Sequence, residues 1–368
     1  MKMTIPMVDL TKQYQALQKE INRTIGRVLQ STQFIMGSEV EAFEKEMAEY
    51  CQTRFAVSCN SGTDALQICL MAIDIQPGDE VITTPFTFVA TAEVIRLLKA
   101  RPVYVDIDPD TYLLDISRIE RKITKRTRAI LPVHLFGQCA DMDPINELAD
   151  RHGLVVIEDA CQAVGATYRG RKACSLGSMG CLSFFPSKNL GAYGDGGMVL
   201  TSDEQLAEKI RMIRNHGSSR RYYHEVIGVN SRLDTLQAAV LRVKLKHLDM
   251  WNEARKDRAA LYTELLSRGN VVTPVILEDR SHVFHQYSIR VKDRDGLRKA
   301  LDEHGITTAV YYPVPLHCQP AFADGRQKEG LFPMTEKTAQ NILSLPMYPE
   351  LKEKDVQAIA CQVLSFTG

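Results

Sequence analysis

Leu154-Val155-Val156-Ile157-Glu158-Asp159-Ala160-Cys161-Gln162 is an unbroken aliphatic run that ends in two carboxylates. Four consecutive apolar residues read as a strand buried on both faces, since a strand with one wet face would alternate. Such a strand delivers Asp159 at its carboxyl end, which is where ligands bind in open α/β sheets. The same grammar repeats outward from it. Phe55-Ala56-Val57-Ser58, Val81-Ile82-Thr83-Thr84, Pro102-Val103-Tyr104-Val105-Asp106 and Ala129-Ile130-Leu131-Pro132-Val133 read as further strands. Asp64 to Ala72 and Thr91 to Leu98 read as helices between them. Strands alternating with helices predict an α/β fold with a mostly parallel sheet covered on both faces.

The flanks are helical. Tyr14, Leu17, Ile21, Ile25 and Val28 recur at helical spacing and predict an amphipathic amino-terminal helix. Ser38 followed by Glu41 is a capping-box pattern that would start a second helix at Val40. From Ser231 a helical pattern runs through Leu233, Leu236, Val240, Val243 and Trp251 toward Gly269, with Ser231 and Asp234 as candidate caps. That is long for one globular helix, so a bend or break is expected near Trp251. Tyr287-Ser288-Ile289-Arg290-Val291 and Thr308-Ala309-Val310-Tyr311-Tyr312 read as strands of a second, smaller α+β domain. The expected division is a large domain over 1–250 and a small one over 251–368.

Composition narrows the class. The chain has 368 residues, 45% hydrophobic and 24% charged, which suits a large globular core. Its formal net charge of zero gives no bulk field for nucleic acid or an anionic membrane. No stretch approaches the ~18 uninterrupted apolar residues of a membrane helix, and the amino end lacks a signal-peptide core. The nine cysteines are odd in number and show no CxxC spacing, which argues against a disulfide scaffold or a zinc site. Reduced cysteines in a cytoplasmic protein are the expectation.

The chemistry sits in a second motif. Lys188 lies in Ser183-Phe184-Phe185-Pro186-Ser187-Lys188-Asn189-Leu190-Gly191, downstream of Asp159. An amine for a Schiff base and a carboxylate that keeps a pyridine nitrogen protonated are what pyridoxal phosphate requires of a protein. Asn60-Ser61-Gly62-Thr63-Asp64 joins a strand to a helix, where free N–H groups and the helix dipole suit a phosphate. The same residues also describe an ordinary strand-helix turn. Ser183 could add a hydroxyl to the phosphate, Gln162 could donate to the ring's phenolic oxygen, and Phe88 could stack on the ring.

Together with the Met7-Val8-Asp9-Leu10 opening, Pro77 to Glu93, Pro102 to Asp115, Gly228 to Ala239 and Ser344 to Pro349, these motifs resemble the nucleotide-sugar aminotransferases. These are the DegT/StrS-type branch of fold-type I pyridoxal phosphate enzymes, with a seven-stranded-type sheet in the large domain. The resemblance implies that Lys188 is the Schiff-base lysine, Asp159 the pyridinium partner and Gln162 the contact to the phenolic oxygen. Phe88 falls at an aromatic packed on the ring, and Gly62, Thr63 and Ser183 fall at phosphate-binding positions. Asn230 matches an asparagine that reaches the phosphate of the neighbouring subunit, which implies a homodimer with shared active sites. Cys161 departs from the commoner alanine of that motif. The implied reaction passes an amino group from L-glutamate, leaving 2-oxoglutarate and pyridoxamine phosphate, to a ketosugar on a nucleotide diphosphate. Related sugar dehydratases carry histidine where Lys188 stands.

Gly228-Val229-Asn230-Ser231-Arg232-Leu233-Asp234 and Tyr311-Tyr312-Pro313-Val314-Pro315-Leu316-His317 resemble the 3-aminating members, especially those acting on UDP-2-acetamido-2-deoxy-3-keto-hexuronic acid for surface polysaccharides such as O-antigen. Arg232 is then a candidate partner for the sugar carboxylate, with Tyr312 and His317 as further substrate contacts. A dTDP-linked 3-keto-6-deoxyhexose is the alternative substrate, a 4-keto sugar a further one, and a non-catalytic regulator the remote one. Arg220-Arg221-Tyr222-Tyr223-His224 reads either as a diphosphate contact or as a solvated loop. His282 and His285, with no third ligand, read as structural rather than metal-binding.

Overall fold

The computed structural model describes residues 4–322 and 329–368. Seven strands form one sheet: β1 (Phe55–Cys59), β2 (Glu80–Thr83), β3 (Arg101–Tyr104), β4 (Thr127–Ile130), β5 (Val155–Asp159), β6 (Met179–Ser183) and β7 (Gly197–Thr201). Their spatial order is β1-β7-β6-β5-β4-β2-β3. β7 runs antiparallel to both neighbours, and the other six strands are parallel. The fold is α/β, as the alternation of strands and helices predicts.

Strand alternation feeds two cores rather than one wet face. Ala56, Ile82, Val156 and Leu182 join Val40, Phe43, Met47, Ile145 and Leu241 on one side. Val57, Val81, Ile157 and Cys181 join Leu66, Ile68, Val94, Ile95 and Ile210 on the other. The helices supplying the first side are α2 (Ser38–Tyr50), α5 (Met142–His152) and α7 (Thr235–Leu245), with α1 (Leu10–Ser31) packed on α7. Those on the second are α3 (Gly62–Ala72), α4 (Ala90–Leu97) and α6 (Glu204–Arg214). A third core gathers α8 (Leu248–Leu266), α9 (Arg294–Glu303) and α11 (Glu353–Thr367) around the antiparallel pair β8 (Tyr287–Arg290) and β9 (Ile342–Leu345). Ile5 is buried in this third core and pairs with Ile306. A last helix, α10 (Pro333–Asn341), leads into β9.

Of three local expectations two are corrected, and the one of a helix break near Trp251 is met. α2 starts at Ser38, with Gly37 as an extended N-cap and no side-chain cap, so the Ser38–Glu41 capping box does not form. A Cβ at Gly37 would lie 2.9 Å from the Gln33 carbonyl oxygen, which selects glycine as the entry to the helix. The long helical pattern is broken between Leu245 and Leu248, a turn before Trp251. No proline or glycine marks that break; His247 sits at φ −109° and ψ −4° and its ring stacks on Trp251. Thr308 to Tyr312 is not a strand: only Ala309 bridges to Ser344, and the chain then leaves the sheet. Among the described residues no helix is long and apolar enough to cross a membrane.

Candidate functional site

A cavity of about 590 Å³ opens at the carboxyl ends of the parallel strands, floored by the turns that leave β1, β2, β4, β5 and β6. The alternation of β5 separates its two terminal carboxylates. Glu158 turns into the protein, where its oxygens accept from the backbone N–H groups of Cys174, Leu176 and Gly177 at 2.7–2.8 Å. It also accepts from His134 Nε2 at 2.9 Å; the proton is on Nε2 because His134 Nδ1 accepts from the Ala140 N–H at 3.1 Å. Asp159 turns into the cavity and is 6% exposed. Its Oδ2 accepts the Thr91 hydroxyl at 2.8 Å and its Oδ1 the Cys161 N–H at 3.3 Å. The Asp159 N–H donates to the Pro132 carbonyl and its own carbonyl accepts from the His134 N–H, so both ends of the residue are fixed.

The turn after β1 is built to leave space. Ser61 caps α3 by accepting from the Asp64 N–H at 3.0 Å. The Asp64 carboxylate accepts from Ser231 Oγ at 2.6 Å, and Ser231 Oγ accepts from the Asn60 N–H at 3.1 Å. Ser231 therefore braces this turn instead of capping the later helix, whose N-cap is Asp234. A Cβ at Gly62 would lie 2.7 Å from the Ser183 Cβ and 2.9 Å from the Cys161 Sγ, so a side chain there would fill the cradle. Gly62, Thr63 and Ser183 all line the cavity beside this helix start.

Lys188 lines the same cavity on the turn after β6, where its N–H donates to the Phe185 carbonyl at 2.8 Å. Burial pushes its amine below the ordinary lysine pKa, while Cys161 and Asp159 pull the other way. Gln162 is oriented at both ends: Oε1 accepts from the Phe136 N–H at 2.8 Å and Nε2 donates to the Tyr312 hydroxyl at 3.0 Å. Burial holds the Tyr312 phenol above its usual pKa, so it remains protonated. Phe88 is 54% exposed, with its ring centroid 6.3 Å from that of Tyr312.

Eight candidates read from the sequence thus meet in one cavity: Lys188, Asp159, Gly62, Thr63, Phe88, Gln162, Ser183 and Tyr312. Three do not reach it. Asn230 is exposed and bridges to Asn215, and Arg232 donates to Asn215 Oδ1 at 3.1 Å. His317 is buried behind the wall, with Nε2 on Glu336 at 3.0 Å and its ring against Phe332. The Arg220–His224 run is an exposed hairpin away from the cavity wall. Sequence reading missed Thr91, Phe136, His285, Gln286 and Tyr311, all of which line the cavity. His285 lines the cavity with its Nδ1 3.3 Å from Asn189 Oδ1, whereas His282 stacks on Phe284 and accepts from the Phe284 N–H.

This donor set fits pyridoxal phosphate by its chemistry. The helix start with the space at Gly62 suits the phosphate, the fixed Asp159 carboxylate suits a pyridinium nitrogen, and Lys188 offers an amine of lowered basicity.

A model of the DegT/DnrJ/EryC1/StrS aminotransferase family matches residues 15–364. The chain is 52% identical to a "pleiotropic regulatory protein" of Geobacillus stearothermophilus, covering 99% of both chains. It is 47% identical to the UDP-2-acetamido-2-deoxy-3-oxo-D-glucuronate aminotransferase of Pseudomonas aeruginosa, covering 98% of this chain and 99% of the other. It is 48% identical to the dTDP-3-amino-3,4,6-trideoxy-alpha-D-glucose transaminase of Streptomyces venezuelae, over 95% of this chain and 92% of that one. Among solved structures, S. venezuelae DesV in complex with a ketimine intermediate superimposes with a TM-score of 0.97 at 46% identity, covering 99% of this chain and 98% of that one.

Proposed function

Because the chain belongs to the DegT/DnrJ/EryC1/StrS aminotransferase family, we propose that it moves the amino group of L-glutamate to C3 of a UDP-linked 2-acetamido-2-deoxy-3-keto-hexuronic acid. The protein is a sugar aminotransferase that uses pyridoxal phosphate. The observation that carries the site assignment is the meeting of Lys188, Asp159 and the open start of α3 in one cavity. The product would be a 3-aminosugar for a surface polysaccharide, made in the cytoplasm.

Pyridoxal phosphate, when bound, supplies an aldehyde that takes up amino groups and a ring that accepts the electron pair left by a departing α-proton. The protein's residues do the rest. Asp159, fixed by Thr91 and the Cys161 N–H, holds a proton on the ring nitrogen through its negative charge. Lys188, whose burial favours the neutral amine, would take the proton from the donor carbon onto Nζ and release it from Nζ to the carbon that had carried the cofactor's aldehyde. Gly62 and Thr63 orient the phosphate, and Gln162 presents Nε2 to the phenolic oxygen because the Phe136 N–H occupies its other end. The lowered basicity has a sign. Falling pH protonates Lys188 and removes the base, so activity declines on the acid side.

The UDP-uronate reading rests on the likeness to the P. aeruginosa enzyme and on Arg232, a guanidinium that matches a sugar carboxylate. Arg232 and Asn230 lie off this chain's own cavity wall, so we assign them to the site of a second subunit in a homodimer.

The test follows the visible absorbance of the cofactor-charged protein. Addition of L-glutamate should bleach it, and a UDP-linked 3-keto-uronic acid should restore it. Restoration only by a dTDP-linked 3-ketosugar would overturn the substrate and retain the transamination. An unbleached spectrum would overturn the donor. Lys188→Ala should abolish turnover.

A further inference from the structure

Three segments of the cavity wall are joined behind it by two buried side-chain amides that take no part in the proton transfers. Asn189, the residue after Lys188, is 4% exposed and Asn252, on α8, is equally buried. Asn189 Nδ2 donates to Asn252 Oδ1 at 2.8 Å and to the Val283 carbonyl at 2.9 Å. With both hydrogens spent, Asn189 Oδ1 faces His285 Nδ1 at 3.3 Å. An amide oxygen can only accept, so this ring nitrogen carries the hydrogen. Asn252 Nδ2 in turn donates to the Val164 carbonyl at 3.1 Å.

The chain of donors has no slack. Reversing either amide would set oxygen against oxygen at Val164 or Val283, and neither group is open to water that could compensate. The turn after β5 with Cys161 and Gln162, the loop with Lys188, and the segment with His285 and Gln286 are therefore fixed to one another. A lysine that moves a proton must be held within a fraction of an ångström of its productive position, and side chains of four methylenes do not hold such a position unaided.

We propose that the Asn189–Asn252 amide pair is the positioning unit for Lys188, fixing its backbone against the β5 turn and the His285 segment. Asn189 and Asn252 are not among the residues lining the cavity; they act through the lysine's backbone and through the orientation of His285. The charged and titratable groups around Lys188 and His285 are Asp159, Cys161 and Arg255, and none of them belongs to the pair.

The inference rests on the assignment of Lys188 as the Schiff-base lysine. The experiment compares Asn189→Ala and Asn252→Ala with the unaltered holoenzyme. Two quantities are read: the pH midpoint of the visible absorbance, which needs neither donor nor sugar, and kcat and KM for the glutamate half-reaction. A positioning role predicts a midpoint displaced by about half a pH unit or more. It also predicts kcat lowered roughly 10- to 100-fold with KM within about threefold, at full cofactor occupancy. Wild-type midpoint and kcat in either folded, cofactor-loaded variant would overturn the proposal. So would a fall in activity that only tracks lost cofactor. If Asn189→Ala does not fold, Asn252→Ala decides by the same criteria, since it leaves the bond to Val283. Failure of both to fold makes the pair purely structural and also overturns it. A wrong sugar assignment leaves the pH titration intact, whereas retention of the visible midpoint in Lys188→Ala would sink the lysine assignment itself.

Discussion

Thr91 shows what a single hydroxyl can do for a buried charge. It is wholly buried, shares a hydrogen bond with Thr87 and spends another on Asp159 Oδ2. A hydrogen bond to a charged group contributes about 1.5–3 kcal/mol. Thr91→Val keeps the shape and removes the donor, so the affinity for cofactor should fall roughly 10- to 100-fold without loss of fold. Cofactor titration of the apoprotein checks this, and an affinity within twofold of wild type would show that Asp159 is held well enough by the Cys161 N–H alone. At this scale the sequence was legible where chemistry and local pattern coincide. Asp159 ends an apolar strand and Lys188 stands in a distinctive loop, so both could be named before any contact was known. Thr91 and His285 could not. Thr91 reaches Asp159 only because β2 and β5 flank β4, an order that no local pattern encodes. His285 faces Lys188's neighbour only because the segment before β8 returns to the loop after β6 from far along the chain.

Asp106, just past β3, is an element-scale device. It is 2% exposed, and its Oδ1 accepts from the Thr335 N–H at 2.9 Å and the Thr335 hydroxyl at 2.8 Å. Its Oδ2 accepts from the Met334 N–H at 3.1 Å. A carboxylate from the sheet therefore caps the start of α10 across a long gap in sequence, where the helix dipole favours negative charge. In the same first turn, Glu336 accepts from the Gly330 and Phe332 N–H groups and from His317 Nε2. Together the two carboxylates fasten the far end of the stretch that begins with Tyr311 and Tyr312 on the cavity wall. Asp106→Ala should cost about 1–3 kcal/mol of stability, leaving α10's first N–H groups unpaired. KM for the sugar should rise severalfold while cofactor affinity stays within twofold, because Asp106 is not among the residues lining the cavity. Denaturant titration and steady-state kinetics test both parts; an unchanged KM would separate the cap from the wall. Strands β1 to β5 were readable because apolar runs report burial directly. Thr308 to Tyr312 misled because its β-branched and aromatic residues serve a loop wall, whereas the α7–α8 break was anticipated from the length of the helical pattern, although apolar spacing continues across it.

Across the whole molecule, lysine and arginine side chains other than Lys188 are placed away from the described cavity lining. Lys188 is the only lysine or arginine among its described lining residues, whereas a nucleotide diphosphate and a uronate bring several negative charges. Arg232, Asn230 and the Arg220–His224 hairpin lie elsewhere on the chain's surface, which suits contribution to another subunit's site. Mixing inactive Lys188→Ala with inactive Asn230→Ala protein should then restore about one quarter of wild-type activity, since random exchange makes half the dimers mixed, each with one intact site. No recovery after exchange is verified by mass would defeat the shared site. Sedimentation as a monomer would defeat it more simply. None of this was readable from composition, because a net charge of zero hides how the charges are distributed.

The strand order also has a consequence in time. β1 lies at the edge of the sheet and pairs only with β7, Phe55 opposite Thr201 and Cys59 opposite Gly197. At ribosomal speeds of about 5–20 residues per second, roughly 7 to 30 s separate the synthesis of these partners. α1 and α2 wait longer still, because both pack on α7. The first segments made are thus among the last to be seated, and long-range closure of this kind slows folding. Until Thr201 emerges, Phe55-Ala56-Val57-Ser58-Cys59 is an unpaired apolar strand, and it is there that a nascent or truncated chain is most in need of a chaperone.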